Sequence, residues 1–183
     1  MGHLDGQAAV VTGTAQGIGR GIADLLESEG AIVHRVDKDA VDLRDSASVD
    51  AFFAALGEVH ILVNNAGGVQ GQTHTPIDEL TDADWDAVVD ANLRTAFNCT
   101  RAAARLMKAA RYGRIVNISS GAGRSVSLTG IQAYTSAKVG QIVATGRTGT
   151  PHDIARGVLF FAAPDAGWVS GQTISIDGGH SLF

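Results

Sequence analysis

The sequence predicts an α/β fold, a doubly wound parallel sheet with helices on both faces. Three observations carry this. Short apolar runs recur along the chain. Between them lie stretches with apolar residues at helical spacing. The two kinds of segment alternate, which implies parallel strands joined by covering helices.

The elements follow in order. "AAVVTG" (8–13) reads as a buried strand, and "GIGRGIADLLESEG" (17–30) as a helix stopped by Gly30. "AIVHRVD" (31–37) is a second strand. "SASVDAFFAALG" (46–57) is a helix with Ser46 as its expected N-cap. "HILVNNAG" (60–67) is a third strand, and residues 82–110 form one long amphipathic helix. "RIVNISS" (114–120) is a fourth strand, followed by a helix that carries Tyr134. "TPHDIARGVLFFAAP" (150–164) is a helix with Thr150 at the N-cap and Pro151 at its first position. "TISID" (173–177) is expected as a last strand. No repeat, low-complexity tract or linker interrupts the chain, so residues 1–183 are expected to form a single domain.

Two connections are short for this architecture. Only "KDAVDLRD" separates the second strand from the next helix, and a parallel crossover needs a dozen or more residues. The stretch from Tyr134 to the "GTP" break at 149–151 is the other.

Composition limits the function classes. The 183 residues are 45% hydrophobic and 18% charged, as in a packed protein. The net charge of -5, without a Lys/Arg block, argues against nucleic acid as a partner. No apolar run approaches the roughly 20 residues of a membrane span. The N-terminus leaves no room for a signal peptide, and the one cysteine, Cys99, cannot form an internal disulfide. Together these predict a cytoplasmic protein. The six histidines show no metal-ligand spacing, so no metal site is expected. Trp85 and Trp168 are read as packing residues.

Two motifs carry chemistry. "TGTAQGIG" places Gly13, Gly17 and Gly19 between the first strand and the first helix. Glycines there permit a tight turn and let the backbone approach a pyrophosphate over the helix N-terminus. Asp37 ends the second strand about 20 residues on, where a carboxylate accepts hydrogen bonds from ribose hydroxyls and repels a 2′-phosphate. NAD is thus favoured over NADP, although Arg35 and Lys38 lie nearby. The second motif is "YTSAK" (134–138). Lys138 lies one helical turn from Tyr134, on the same face, where its charge lowers the phenol's proton affinity.

In order along the chain come "TGTAQGIG", "NNAG" (64–67), Asn92 in "DANL", "NISS" (117–120), "YTSAK", "GRTGTPHDIA" and "SGQTISIDGG". With these, the sequence resembles the short-chain dehydrogenase/reductase family, NAD(P)-dependent oxidoreductases with a Rossmann-like sheet. The resemblance runs from about Gly6 to Gly179. It implies Tyr134 as general acid/base, Lys138 as its charge partner and ribose ligand, and Ser120 as hydrogen-bond partner of the substrate oxygen. Asn92 would hold a water that relays protons to the lysine. Gly13, Gln16, Gly17, Ile18, Gly19, Asp37, Asn64, Ala66 and Gly67 would bind cofactor, with Asp42 on the adenine. The substrate would be a small alcohol or ketone. A homodimer or homotetramer would form through the helix 82–110 and the tyrosine helix.

The sequence also departs from the family. After the tyrosine helix the family has a further strand, a Pro-Gly turn and a substrate-covering loop, and none of these is present. One or two elements are thus missing. The chain is a shortened form, part of a longer protein, or a dinucleotide-binding relative without turnover.

Overall fold

The computed structural model describes residues 2–71, 75–120, 131, 133–134 and 149–176. Their centre is a four-stranded parallel sheet in the order β2-β1-β3-β4. The strands are β1 (Ala8–Thr12), β2 (Ile32–Val36), β3 (Ile61–Asn64) and β4 (Arg114–Asn117). The helices are α1 (Gly17–Ser28), α2 (Ser46–Leu56), α3 (Asp82–Val89), α4 (Thr95–Ala110) and α5 (Pro151–Ala162).

β1 and β3 are buried along their whole length, as unbroken apolar runs require when both faces are covered. Alternation along β1 divides the core. Ala9 and Val11, with Ile61 and Val63 of β3, face α1 and α5 and pack on Ile22, Leu26, Val158 and Ala162. Val10 and Leu62 face the other way, onto Val49 and Phe53 of α2 and Cys99, Ala103 and Met107 of α4. Burying a side chain such as Phe53 stabilises the fold by about 1.5–3 kcal/mol.

Where sequence and structure differ, the causes are local. The N-cap of α2 is Asp45, not Ser46. Its carboxylate accepts from the backbone N–H of Ala47 and Ser48 and from the Ser48 hydroxyl, which holds the Asp45 carboxyl below the usual range. The expected helix 82–110 is interrupted by a π-helical turn at Asp90–Arg94, which separates α3 from α4. β3 and β4 end three residues earlier than expected, at Asn64 and Asn117, with a last bond from the Ile118 N–H to the Asn64 carbonyl. Residues 173–176 form no strand, and Ile174 is half exposed. Trp168 is fully exposed rather than packed, and Trp85 is also exposed.

The short connection after β2 is closed by a pinned loop. Ala40 and Val41 donate backbone N–H bonds to the Asp37 carbonyl. The Asn98 amide of α4 donates to the carbonyls of Leu43 and Arg44 at 3.1 Å each, while Leu43 is buried against the α2–α4 core. "AVDL" thus caps the core without becoming a strand, as its length dictates.

Candidate active site

The order of the sheet reverses between β1 and β3, and both strands end on the same edge. In open parallel sheets that crevice is where ligands bind. The residues around it come from four strand ends.

The turn after β1 takes its shape from glycines. Gly13 has φ +72° and Gly17 φ +58°, values that disfavour a side chain. A Cβ at Gly19 would lie 2.0 Å from the Gly13 carbonyl oxygen, so this position packs the helix against the turn. A Cβ at Gly17 would meet nothing within 4 Å. The space above it is open. The α1 N-cap, Gln16, makes no side-chain capping bond, whereas α2, α3 and α5 are capped by Asp45, Thr81 and Thr150. The first N–H groups of α1, with the positive end of its dipole, are thus left for an anion from outside. This cradle fits a dinucleotide pyrophosphate. Ile18 is exposed beside it, and Gly19 is buried.

Asp37 lies on the rim of the same turn. One carboxylate oxygen accepts from the Ala15 N–H at 2.8 Å and the other from the Lys38 N–H at 2.9 Å. Each oxygen keeps a lone pair for a ribose hydroxyl. Arg35 is held elsewhere. Its guanidinium pairs with Asp24 (2.6 Å) and Glu27 (2.8 and 3.0 Å) on α1. These pairs hold the Glu27 carboxyl below its usual range and raise the guanidinium's proton affinity.

Two residues that sequence reasoning passed over hold the crevice together. The Thr12 hydroxyl donates to the Val63 carbonyl and accepts from the N–H groups of Asn65 and Ala66. The Asn65 amide donates to the carbonyls of Thr12 and Gly13 at 3.0 Å each. The doubled asparagine in "NNAG" was the available signal, since the two face different ways.

Asn64, expected to line the cofactor cleft, is turned inward instead. Its amide donates to Thr100 Oγ1 (3.0 Å) and Asn117 Oδ1 (2.8 Å), and the residue is buried. Successive residues at a strand end point to opposite sides, so Asn64 ties β3 to β4 and α4 while Asn65 reaches the turn. Ala66 and Gly67 border the crevice through their backbone. Asp42 is engaged by Arg44 through two 2.9 Å side-chain bonds and one from the Arg44 backbone N–H, which lower its proton affinity.

Asn92 sits in the π-turn and is buried. Its amide oxygen accepts from the Gly68 N–H (3.1 Å), and its nitrogen donates to the carbonyls of Gly68 (2.9 Å) and Val88 (2.7 Å). Asparagine is a poor former of helix interiors, and here it clamps the segment after β3 to the helix. The π-turn lets it do so, because the local widening points the side chain at Gly68. Ser120 follows the end of β4 and is half-buried, as is Tyr134, whose neighbour Ala133 is fully buried. Lys138 lies outside the described residues. Among those residues no cluster of His, Cys, Asp or Glu could hold a metal ion, and no helix is long and apolar enough to cross a membrane.

The short chain dehydrogenase family profile matches residues 34–152. The chain belongs to the short-chain dehydrogenase family. Members of this family are NAD(P)-dependent oxidoreductases. The chain is 30% identical to the hydroxy(phenyl)methylsuccinyl-CoA dehydrogenase subunit of Thauera aromatica, over 98% of this chain and 98% of that one. It is 29% identical to a galactitol 2-dehydrogenase of Rhizobium johnstonii, over 99% and 97%. A crystal structure of a short-chain dehydrogenase/reductase from Burkholderia xenovorans superposes with a TM-score of 0.91 at 26% identity, covering 100% of this chain and 99% of the other. The first two alignments span 247 and 252 positions against 183 residues here, so the relatives carry stretches that this short-chain dehydrogenase lacks.

Proposed function

We propose that this chain is an NAD-dependent oxidoreductase that moves a hydride between NAD and a secondary alcohol or ketone. The observation that carries the reading is the uncapped start of α1 above Gly17, with Asp37 fastened to the same turn by its bond to Ala15. When bound, NAD supplies the hydride acceptor. The chain supplies the rest. The α1 N-terminus and the backbone of Gly13, Gln16, Gly17 and Ile18 hold the phosphates, and Asp37 accepts from the ribose. Tyr134 holds or takes the proton at its phenol oxygen, Lys138 lowers the cost of the phenolate, and Ser120 orients the substrate oxygen. Asn92 fixes the crevice wall through Gly68. Both amide N–H donors are engaged there and the amide oxygen keeps one lone pair, so a proton-relaying water would sit on that oxygen or on backbone carbonyls of the π-turn.

Asp37 favours NAD over NADP because a 2′-phosphate would meet its charge, and Arg35 is already paired. Fluorescence titration with NADH and NADPH tests this. Tighter NADH binding is expected, and tighter NADPH binding overturns it. Turnover on a panel of secondary alcohols should be abolished by Tyr134→Phe with NADH affinity intact. Undiminished turnover in that variant removes Tyr134 from the chemistry.

A second reading is a dinucleotide-binding protein without turnover. It is favoured by the short stretch between Tyr134 and Thr150, which leaves little chain to cover a substrate. NADH binding with no turnover on any alcohol or ketone would select it.

In either case a homodimer or homotetramer is expected through α4, whose Phe97 is exposed with Arg101 stacked on it, next to exposed Leu93. Light scattering that finds a monomer at micromolar concentration counts against this. The buried thiol of Cys99 and the lack of a second cysteine fit a reducing, cytoplasmic setting.

A further inference from the structure

We propose that Asp24 and Glu27 are positioning residues for cofactor choice, holding Arg35 away from the rim where a 2′-phosphate would be recognised. The inference rests on the dinucleotide reading above. Arg35 and Asp37 are two positions apart along the second strand and its end, so their side chains leave the same face. Their Cα atoms are about 6–7 Å apart at extended spacing. An arginine side chain spans that distance. A free Arg35 could therefore turn toward the ribose edge that Asp37 marks and offer a planar fork to a phosphate.

In the structure it is turned the other way. Three hydrogen bonds, Nε and Nη2 to Glu27 and Nη2 to Asp24, fix it over α1. The two acids are three residues apart on that helix, which places both on the face that meets the strand. The other basic side chains near the turn differ in kind. Arg20 of α1 donates to the Ala15 carbonyl, beneath the turn. Lys38 adjoins Asp37 and remains a single point charge. Among the described residues Arg35 is thus the planar cation on this face of the strand, and two carboxylates sequester it. Without them the same strand would present an arginine and an aspartate side by side, a rim able to accept either cofactor.

The test measures binding, not turnover. Dissociation constants for NADH and NADPH are measured on the full chain for four forms: wild type, Asp24→Asn/Glu27→Gln, Arg35→Ala, and the triple variant. All three positions are surface sites, and a thermal melt of each variant checks folding. Freeing Arg35 is expected to shift the affinity ratio toward NADPH by about fivefold, equivalent to ~1 kcal/mol. Arg35→Ala alone should leave the ratio within about twofold, since the residue is sequestered, and the triple variant should lose the gain. An unchanged ratio in the double variant overturns the proposal. A gain that persists in the triple variant also overturns it, because the effect then comes from removing two negative charges rather than from releasing Arg35. If wild type binds neither cofactor, the dinucleotide reading fails as well, and that outcome is distinct from both.

Discussion

The two ends of the molecule differ in how their backbone is held. At the carboxyl ends of β1, β2 and β3, side chains secure nearly every turn. Thr12 serves three backbone groups, Asn65 two carbonyls, Asp37 two N–H groups and Asn92 both polar groups of Gly68. Beyond β4, in the described segment 170–176, the Gln172 amide donates to the Ser170 carbonyl and Ile174 is half exposed. The difference teaches where this chain keeps its family's precision. The cofactor side is built to place atoms. On the other side, the described residues 173–176 form no strand. Because hydride transfer needs near-attack geometry, an error of about 1 Å there can cost roughly 100-fold in rate even with the cofactor well seated.

Glycine substitution should expose the contrast most sharply. Gly19→Ala puts a Cβ 2.0 Å from the Gly13 carbonyl oxygen, a backbone atom that cannot yield cheaply. A loss of about 2–4 kcal/mol in stability and of measurable NADH binding is expected. Gly149→Ala, where a Cβ meets nothing within 4 Å, should change stability by less than ~0.5 kcal/mol. Equal effects in urea melts would erase the distinction between the two regions.

Next in size is Thr12→Val. The isosteric change leaves the N–H groups of Asn65 and Ala66 without their acceptor in a buried place. About 1–3 kcal/mol should be lost, and Thr12→Ser should recover most of it. Failure of serine to rescue would mean that the methyl group, not the hydroxyl, matters here.

The same division decides what could be read from sequence. The central strands were legible because Val10, Val11, Leu62 and Val63 form unbroken apolar runs, and α5 because Thr150 at the N-cap and Pro151 at the first position mark its start. The glycine turn and Asp37 were legible because their spacing follows from the βα unit itself. Asn64 and Asn65 could not be separated, since which one faces the crevice depends on where β3 leaves the sheet. The π-turn was foreshadowed by Asn92 sitting badly in a helix, but its purpose appears only with Gly68 in place. The missing strand at 173–176 was misjudged because "TISI" has strand composition. A strand needs a neighbour, and composition does not report one.

Cys99 offers a gentler probe of the well-held side. Burial in the α2–α4 core pushes its thiol up to about 12. At pH 8 only about one molecule in 10,000 carries the reactive thiolate. Alkylation should therefore be slow in buffer and fast in urea, with a rate set by opening of the core. Rapid labelling of the native chain would show that the cofactor side is looser than its hydrogen bonds suggest.

The smallest effect concerns Glu27, and its sign is fixed. Its hydrogen bond to Arg35 depresses the folded-state value below 4.5, opposed by slight desolvation. A carboxyl depressed on folding adds stability that is fully present above its unfolded value and is lost as pH falls through the folded one. Glu27→Gln should thus lower the melting temperature at pH 7 by about 1–2 °C, the scale of a solvent-screened surface pair. The gap between variant and wild type should close as pH falls through the depressed folded-state value, where the wild-type carboxyl protonates. A gap that persists once the wild-type carboxyl is fully protonated would mean that Glu27 contributes through packing on Arg35's alkyl stem rather than through charge. In that case the charge clamp that turns Arg35 from the ribose rim would lose its physical basis.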